Sequence, residues 1–314
     1  MNNRYFQHTL SQPLTFVGRG LHSGASVRLT LQPAEADTGI LFVRQDVPLK
    51  QAEISARWYN VTDTRLSTTI TNRHGVRVST IEHLMAALYI AGIDNVRVVL
   101  NAPEVPIMDG SAEPFLNMIR QVGTVRQQAE RRAIVIRHPV RVEEAGKSAS
   151  FLPAPTPWID MAIDFEHRAI GHQELSLPME RELLGVDIGA ARTFGFEDQI
   201  QTLRTLGLTK GGSLQNAVLV GEGGVINAEG LRFQDEFVRH KVLDAVGDLA
   251  LSGYTIFGRF VGVCSGHGLN NQLLRHLLQQ EEAWTYTTLS AAEQYWTWTQ
   301  SELPRLDADQ IRVG

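Results

Sequence analysis

The sequence has very little cysteine, no long apolar run and no excess of basic residues. Cys264 is the only cysteine among 314 residues, which excludes an internal disulfide and any multi-cysteine zinc or iron–sulfur site. No run approaches the length of about 18 apolar residues that a membrane-spanning helix requires. A formal net charge of −5 gives no electrostatic reason to expect nucleic acid as a partner.

The amino-terminal segment lacks the continuous apolar stretch of a signal peptide. The composition is that of a globular protein, with 43% hydrophobic and 20% charged residues. We therefore expect a soluble, cytoplasmic protein without a membrane span. Peripheral contact with a membrane stays open, because a soluble enzyme can act on a substrate that has a lipid tail.

Strand and helix patterns follow each other twice along the chain. The first part contains β-rich segments at 27–31, 40–43 and 96–100 and helical patterns at 80–91 and 112–121. After a polar stretch at 126–132 that is typical of a linker, the second part contains strand patterns at 134–142, 150–152 and 159–165 and helical patterns at 235–251 and 269–280. This order predicts an α+β protein with helices packed on sheets, in two domains at 1–128 and 129–290. Residues 291–314 form a tail whose structure the pattern does not indicate.

The strongest local signal lies in the helical pattern at 235–251. His240, Asp244 and Asp248 recur at every fourth position, so a helix places them along one stripe. The rest of this helix is largely apolar, which indicates burial, and carboxylates are rarely buried without a partner. A histidine and an aspartate one turn apart can ligate one metal ion, and Asp248 can orient a ligand or a catalytic histidine. The alternative is a solvated face with salt bridges along the helix.

Glu82 and His83 open the helical pattern at 80–91 and offer a third ligand. The imidazole can hold a metal ion while the neighbouring carboxylate takes a proton from the water that the metal activates. The alternative is ordinary helix chemistry, because the helix dipole favours a glutamate in the first turn. The metal interpretation gains from the combination with the stripe of His240 and Asp244.

Two further segments are open to more than one interpretation. His267 lies between two glycines, which suits a loop that presents it to a ligand, although such a segment alone is more typical of a turn. Cys264 nearby could form a nucleophile pair with it, but a thiol that ends an apolar strand is more typical of a buried structural residue. The segment 191–206 carries two aromatic residues and an aliphatic stripe. It could line a groove for an acyl chain, but its spacing favours a place in the core.

Taken together, these segments resemble the bacterial UDP-3-O-acyl-N-acetylglucosamine deacetylases, zinc enzymes of the committed step of lipid A synthesis in Gram-negative bacteria. The matching stretches run through nearly the whole chain. They are GRGLHSG (18–24), STIEHLMAAL (79–88), GIDN (92–95), EVPIMDGSAEPF (104–115), ARTFGF (191–196), GLRFQDEFVRHKVLDAVGDL (230–249) and SGHGLNNQLL (265–274). The resemblance implies metal-dependent hydrolysis of the acetamide of an acylated UDP-N-acetylglucosamine, with release of acetate. It also implies two α+β domains whose helix layers face each other.

The resemblance further implies a role for each candidate residue. The implied ligands of one zinc ion per chain, with Fe²⁺ as the alternative metal, are His83, His240 and Asp244. The implied catalytic residues are Glu82 as general base, His267 as acid and oxyanion partner, Asp248 as the carboxylate that holds His267, and Thr193 as a hydroxyl that binds the tetrahedral intermediate. The implied substrate contacts are Lys241, Phe194 beside the acyl passage, Phe165 at the uracil, and Lys147.

Two functions of other classes fit part of the same residue set. A mononuclear iron oxygenase also binds its metal through two histidines and one carboxylate. A nucleotide-sugar-binding module would need no catalytic group at all. A glutamate placed to deprotonate water favours hydrolysis over oxygenation, and the set of Glu82, His267 and Asp248 argues against binding alone. We expect the acylated nucleotide sugar as the partner of a monomeric enzyme.

Overall fold

Helices and strands alternate along the whole described chain, residues 3–299 of the computed structural model, with side-chain surroundings described through residue 295. The helices are α1 Glu82–Ile90, α2 Glu113–Val122, α3 Arg181–Asp187, α4 Glu197–Thr205, α5 Glu236–Leu249, α6 His267–Gln279 and α7 Leu289–Thr299. The strands are β1 Phe6–Leu10, β2 Leu14–Arg19, β3 Ser26–Pro33, β4 Ile40–Arg44, β5 Glu53–Ser55, β6 Val61–Asp63, β7 Thr69–Thr71, β8 Arg77–Val78, β9 Val96–Leu100, β10 Thr124–Glu130, β11 Arg132–Ile136, β12 Val140–Glu144, β13 Lys147–Leu152, β14 Trp158–Asp164, β15 His172–Pro178, β16 Phe194–Phe196, β17 Val218–Gly221, β18 Gly224–Val225, β19 Thr255–Phe257, β20 Arg259–Val263 and β21 Trp284–Thr288. The predicted α+β class is confirmed.

Two five-stranded sheets share one topology. The first has the strand order β2-β3-β9-β4-β5 and the second has β12-β13-β20-β14-β15. Each sheet contains one parallel pair of strands, and its other neighbouring strands are antiparallel. The parallel pair is β4 with β9 in the first sheet and β14 with β20 in the second. A helix precedes the later strand of that pair in each case, α1 or α5, and another follows it, α2 or α6. The chain therefore contains two similar units, the first at 14–122 and the second at 140–279.

The helix layers of the two units face each other. Helix α1 packs against α5, and α5 and α6 pack on the second sheet. Leu84, Ala86 and Ala87 of α1 are fully buried. Burial of a side chain as large as that of Leu84 stabilises the fold by about 1.5–3 kcal/mol. The two helices approach closely because Gly247 has no side chain; a Cβ atom there would lie 2.0 Å from the carbonyl oxygen of Glu82.

The predicted linker is wrong. Residues 124–130 form β10, which pairs with β1, and β11 begins at Arg132. Polar side chains suit this ribbon because much of β10 is exposed. The predicted strand at 134–142 is two strands, β11 and β12, interrupted at Pro139, which has no N–H for a sheet hydrogen bond. The domain boundary at 128/129 falls within β10 and stays a prediction.

The predicted helix ends are confirmed in part. Gly92 ends α1 with a φ of 73°, a conformation that suits glycine. Ser111 accepts a hydrogen bond from the backbone N–H of Glu113, but the cap position of α2 is Ala112. Neither Ser79 nor Thr80 occupies the cap position of α1, which is Ile81.

The predicted tail begins within α7, which packs on β11 and β21, and residues 300–314 lie outside the described residues. Across the part of the chain that the structure describes, no helix is both long enough and apolar enough to cross a membrane.

Candidate active site

Three buried side chains converge where α1 and α5 meet. His83 lies in the first turn of α1, and His240 and Asp244 lie one turn apart on α5. Asp244 Oδ1 is 3.5 Å from His83 Nε2 and 3.3 Å from His240 Nε2. Two ligand atoms at about 2.0–2.1 Å from one tetrahedral zinc ion are roughly 3.3 Å apart. The three side chains therefore have the spacing and the donor atoms to hold one metal ion.

The protonation states of these side chains also suit a cation. Burial lowers the pKa of His240 to about 4, so its imidazole is neutral at pH 7. His240 Nδ1 donates to the carbonyl of Ala191 at 3.0 Å, which leaves the Nε2 lone pair free for a ligand bond. Burial opposes the ionisation of Asp244, but His240 and Lys241 beside it hold the pKa of that carboxyl well below its usual range.

Lys241 binds the second oxygen of the same carboxylate. Its Nζ lies 2.6 Å from Asp244 Oδ2, while Oδ1 faces the two imidazoles. Burial would lower the pKa of Lys241, but the neighbouring Asp244 outweighs it and the pKa is raised. The lysine therefore stays charged and holds the aspartate in one orientation.

A second buried cluster joins Glu82 to His267. Glu82 Oε1 lies 4.0 Å from His267 Nε2, and His267 Nδ1 donates to Asp248 Oδ2 at 2.8 Å. Thr68 connects the two carboxylates, because its backbone N–H donates to Glu82 Oε2 and its hydroxyl donates to Asp248 Oδ1. Asn270 Nδ2 donates to Asp248 as well. The arrangement fixes one proton acceptor and one imidazole side by side.

The pKa values of this pair are moved in a direction that suits acid–base chemistry. Burial raises the pKa of Glu82, with His267 and His83 opposing it. Burial lowers the pKa of His267, but Asp248 more than compensates and raises it to about 9. In this state of the protein His267 is therefore an imidazolium at neutral pH, and Glu82 is a stronger base than a free glutamate.

Glu104 holds the loop at 21–23 and the start of α1. Its carboxylate is buried and accepts hydrogen bonds from the backbone N–H groups of His22 and Ser23 and from the Thr80 hydroxyl. Thr80 has a φ of 57°, an uncommon value for a threonine, two residues before Glu82. The buried carboxylate thus supports an unfavourable backbone conformation directly in front of the site.

A buried ion pair fixes the strand segment on the other side. Arg192 Nε lies 2.9 Å from Glu236 Oε1, and both side chains are almost fully buried. The backbone N–H of Arg192 donates to the same carboxylate. Because Ala191 accepts the proton of His240 and Thr193 comes directly after Arg192, this pair positions both a ligand and the predicted oxyanion hydroxyl.

The predicted site residues share one cavity of about 750 Å³. Asp248 is the exception and lies behind His267, to which it is bound. Lys147 is exposed and lies at the start of β13. Phe165 packs against Phe194, with ring centroids 5.7 Å apart. The residues that line the cavity are Glu82, His83, Lys147, Phe165, Thr193, Phe194, His240, Lys241, Asp244 and His267.

An apolar cavity of about 380 Å³ lies beside the first one and shares Leu21, Leu66, Thr193 and Phe194 with it. The preference for a core position of segment 191–206 is wrong in part. Phe194 and Phe196 pack against the main core, but α4 has no buried residue. Ile200 and Leu203 of the aliphatic stripe line this cavity instead.

The structural interpretation of Cys264 is also wrong in part. Its side chain is only half-buried and lines the larger cavity, and its φ of 48° is unusual for a cysteine. Strand β20 ends at Val263, directly before this residue. The structure places no Cys264–His267 hydrogen bond within the described residues.

The contacts of three residues at the site, Thr68, Glu104 and Asn270, were not predicted from helical or strand periodicity. Thr68 precedes a three-residue strand, and Asn270 lies on the helix that His267 opens. Glu104 lies in one of the stretches that carry the family resemblance, which was the signal available for it. Their contacts join positions that are far apart in the chain, such as Thr68 and Asp248.

Comparison with known proteins agrees with this geometry. The chain matches the family described as "LpxC: UDP-3-O-acyl N-acetylglycosamine deacetylase" over residues 7–279. A curated protein of Phenylobacterium zucineum is 47% identical over 285 residues, which are 91% of this chain and 97% of that protein. A protein of Geobacter sp. (strain M21) is 49% identical over 89% of this chain and 91% of its own length. One of Pasteurella multocida is 47% identical over 90% and 93%.

All three relatives carry the name UDP-3-O-acyl-N-acetylglucosamine deacetylase. The matched region includes both five-stranded sheets, the group of His83, His240 and Asp244, and the Glu82–His267 pair. The chain therefore belongs to the LpxC family of UDP-3-O-acyl N-acetylglycosamine deacetylases.

Proposed function

We propose that this chain hydrolyses the acetamide of UDP-3-O-acyl-N-acetylglucosamine, the committed step of lipid A synthesis. The observation that supports it most is the placement of Glu82 and His267, 4.0 Å apart, on the same cavity as the triad of His83, His240 and Asp244. Water oxygen bonds to the acetyl carbon, the carbon–nitrogen bond breaks, and the products are acetate and the free amine. The activity is the one in the names of the relatives, and neither the oxygenase nor the binding module is favoured by any feature of the site.

The metal ligands in this proposal are His83, His240 and Asp244, with Zn²⁺ as the preferred ion and Fe²⁺ as the alternative. Two imidazoles and one carboxylate are a donor set that zinc accepts in hydrolases. When bound there, the ion would activate water and polarise the acetamide carbonyl. Lys241 holds Asp244 ready for that role through its 2.6 Å ion pair.

Glu82 is the proton acceptor in this proposal. Its Oε2 is fixed by the Thr68 backbone N–H, which leaves Oε1 directed toward His267 and the cavity. Its raised pKa makes it a better acceptor for the proton of the attacking water, since catalysis is most efficient when the pKa lies near the working pH. The adjacent position of His83 puts acceptor and ligand on the same turn of α1.

His267 and Thr193 are the partners of the negative charge that develops on the acetyl oxygen. A preorganised donor at that point stabilises the transition state more than the ground state. The Asp248 carboxylate keeps His267 protonated and in one orientation. Either His267, or Glu82 with the proton that it has taken from water, can protonate the nitrogen of the departing amine.

The substrate contacts follow the shape of the two cavities. The acyl chain would lie in the apolar cavity that begins at Phe194, and the nucleotide would lie along Phe165 and Lys147 at the other side. A cationic lysine at the exposed rim suits the diphosphate. The proposal also includes that the protein is a monomer, that it acts in the cytoplasm and that it contacts the membrane peripherally. Light scattering after size-exclusion chromatography tests the monomeric state.

Purified protein loaded with Zn²⁺ should release one acetate for each UDP-3-O-acyl-N-acetylglucosamine consumed. Removal of the metal with a chelator should abolish release, and added Zn²⁺ should restore it, because the cavity offers no other electrophile of that strength. Acetate measured by a coupled assay and the amine product measured by mass spectrometry report the reaction. Metal-loaded protein that binds the substrate but releases no acetate would refute the proposed activity.

Replacing Asp248 with asparagine should move the alkaline limb of the pH–rate profile to lower pH by about one unit or more. Asp248 raises the pKa of His267 toward about 9, so its loss lets that proton leave at lower pH. The protonated form is the active donor, and turnover therefore falls first on the alkaline side. The comparison is made on kcat between pH 6 and 10, with metal content measured in both proteins. An unmoved alkaline limb at equal metal content would return Asp248 to a purely structural role.

A further inference from the structure

A third, smaller cavity lies at the opposite end of α1 from Glu82 and His83. Its volume is about 110 Å³, room for several water molecules or one small polyatomic ion. The last turn of α1 with Tyr89 forms one wall, and segments around Arg57, Asp94, Arg131 and Arg181 form the others. None of these residues takes part in the site described above.

The lining of this cavity is strongly basic. Four arginines line it, Arg57, Arg131, Arg132 and Arg181, against the single carboxylate of Asp94. That carboxylate is already used, because Arg131 binds it at 2.8 Å. Within the described residues, the other three arginines form no ion pair. The cavity therefore carries an excess of positive charge that the protein itself does not neutralise.

Arg181 is the most informative of the four. Its guanidinium stacks over the Tyr89 ring at 5.3 Å from the centroid, but among the described residues it has no hydrogen-bond partner. A Cβ atom at Gly92 would lie 2.8 Å from Arg181 Nη1 and 3.3 Å from Arg131 Nη2, so both guanidinium groups face the same point. Burial lowers the pKa of Arg181, and Arg131 lowers it further. Arg181 is half-buried, and a partly desolvated guanidinium that faces a second one without an anion between them is unfavourable unless something binds it.

A cation near the carboxyl end of a helix is stabilised by the helix dipole, but this does not explain the position of Arg181 at the end of α1. Arg131 already occupies the end of that helix, where its Nη2 donates to the Gly92 carbonyl at 2.6 Å. The positive potential also affects His8 nearby, whose pKa is lowered by burial, then by Arg131, and to a lesser degree by Arg181. The Tyr89 hydroxyl has no hydrogen-bond partner within the described residues and remains a free donor next to the guanidinium.

We propose that this cavity binds a small oxyanion of the phosphate class, held by Arg181 together with Arg132 and the Tyr89 hydroxyl. The planar guanidinium fork matches two oxygens of a tetrahedral oxyanion, which a simple halide cannot offer. The volume accepts free phosphate or the phosphate end of a small monoester. Because the cavity wall includes the last turn of α1 and the segment after α5, the bound anion joins the first unit to the second at a point away from the cavity of Glu82.

Calorimetric titration of the metal-loaded protein with inorganic phosphate tests the proposal. Wild type should bind phosphate. Arg181→Gln should weaken the affinity at least about tenfold, because the charged hydrogen bonds from the Arg181 guanidinium to the phosphate oxygens are lost. The matched control is Arg28→Gln, which removes the same charge from an exposed strand position outside the cavity and should bind like wild type. Sodium chloride at the same ionic strength separates specific binding from screening. Wild-type affinity in Arg181→Gln, or no binding by wild type, would overturn the assignment.

Two further arms keep the test decisive if Arg181→Gln folds poorly. Arg132→Gln alters an exposed residue at the rim and should weaken phosphate binding several-fold; unchanged affinity there counts against the site. In the absence of phosphate, Arg181→Gln should melt at or above the wild-type temperature, because an unpaired charge has been removed. A much lower melting temperature of a folded variant would show a structural arginine and refute the ligand role. Titration with glycerol 3-phosphate distinguishes the sources: binding identifies a monoester site, and its absence a site for the free ion.

Discussion

Replacing Glu82 with alanine should lower kcat at least about 100-fold while the metal stays bound. Glu82 is not one of the three side chains whose atoms converge on the metal position, but its Oε1 faces the same cavity. Loss of the carboxylate removes the proton acceptor and leaves His83, His240 and Asp244 in place. The result is measured as steady-state deacetylation together with zinc content by elemental analysis.

The control for this prediction is His240→Ala, which removes a ligand instead of the acceptor. We expect that variant to lose most of its metal, because His83 and Asp244 alone offer two donor atoms. The contrast separates the two roles within one cluster. Near-normal turnover of Glu82→Ala, or loss of its metal, would count against the assignment of Glu82. Full metal content in His240→Ala would remove His240 from the ligand set.

Gly247→Ala should damage both stability and activity, although the change adds one methyl group at a residue that does not line the cavity. The new Cβ would lie 2.0 Å from the Glu82 carbonyl oxygen and 2.8 Å from its carbonyl carbon, so the backbones of α1 and α5 must separate. Overpacking of this kind costs about 1–3 kcal/mol. Because α1 carries Glu82 and His83 and α5 carries the other two ligands, the shift misplaces the whole cluster. A misplacement of about 1 Å can reduce turnover about 100-fold.

Gly268→Ala provides the matched control for the stability measurement. Gly268 is also a helical glycine, but a Cβ atom there would have an ordinary contact of 3.5 Å with Thr64 Oγ1. We expect its melting temperature to remain within about 3 °C of wild type, because such a substitution changes stability by at most about 1 kcal/mol. Denaturation curves of both variants and the deacetylase rate of Gly247→Ala beside that of the wild type provide the comparison. A Gly247→Ala protein with wild-type stability and activity would show that the two helices can separate at no cost.

The part of the candidate site that lies on α5 could be predicted from the sequence because it is periodic. His240, Asp244 and Asp248 follow the repeat of one helix, and burial of that helix follows from its apolar neighbours. Glu82 and His83 could be predicted from the apolar run that follows them, which places both in the first turn of a buried helix. The two-part order of strands and helices predicted the α+β class, because the helices α1, α2, α5 and α6 all show a clear helical pattern.

The contacts that complete the site could not be predicted, because no local pattern records them. Thr68 reaches both Glu82 and Asp248, yet nothing in its neighbourhood distinguishes it from other threonines of short strands. The role of Gly247 depends on where a distant helix crosses it. The exposed side of β10 resembles a linker, because a two-stranded ribbon at the surface has no buried face to impose an apolar alternation. The resemblance to a family supplied residue roles that spacing alone left open.

The contact between Gly247 and Glu82 has a consequence for how the chain can change over generations. The first unit contributes Glu82 and His83, and the second contributes His240, Asp244 and His267, so neither inherits a complete site. A recombination that exchanged one unit for that of a distant relative would keep every catalytic side chain and still fail if the helices no longer met at a glycine. Substitutions on the facing surfaces of α1 and α5 are therefore accepted or rejected jointly. The two units must therefore evolve together.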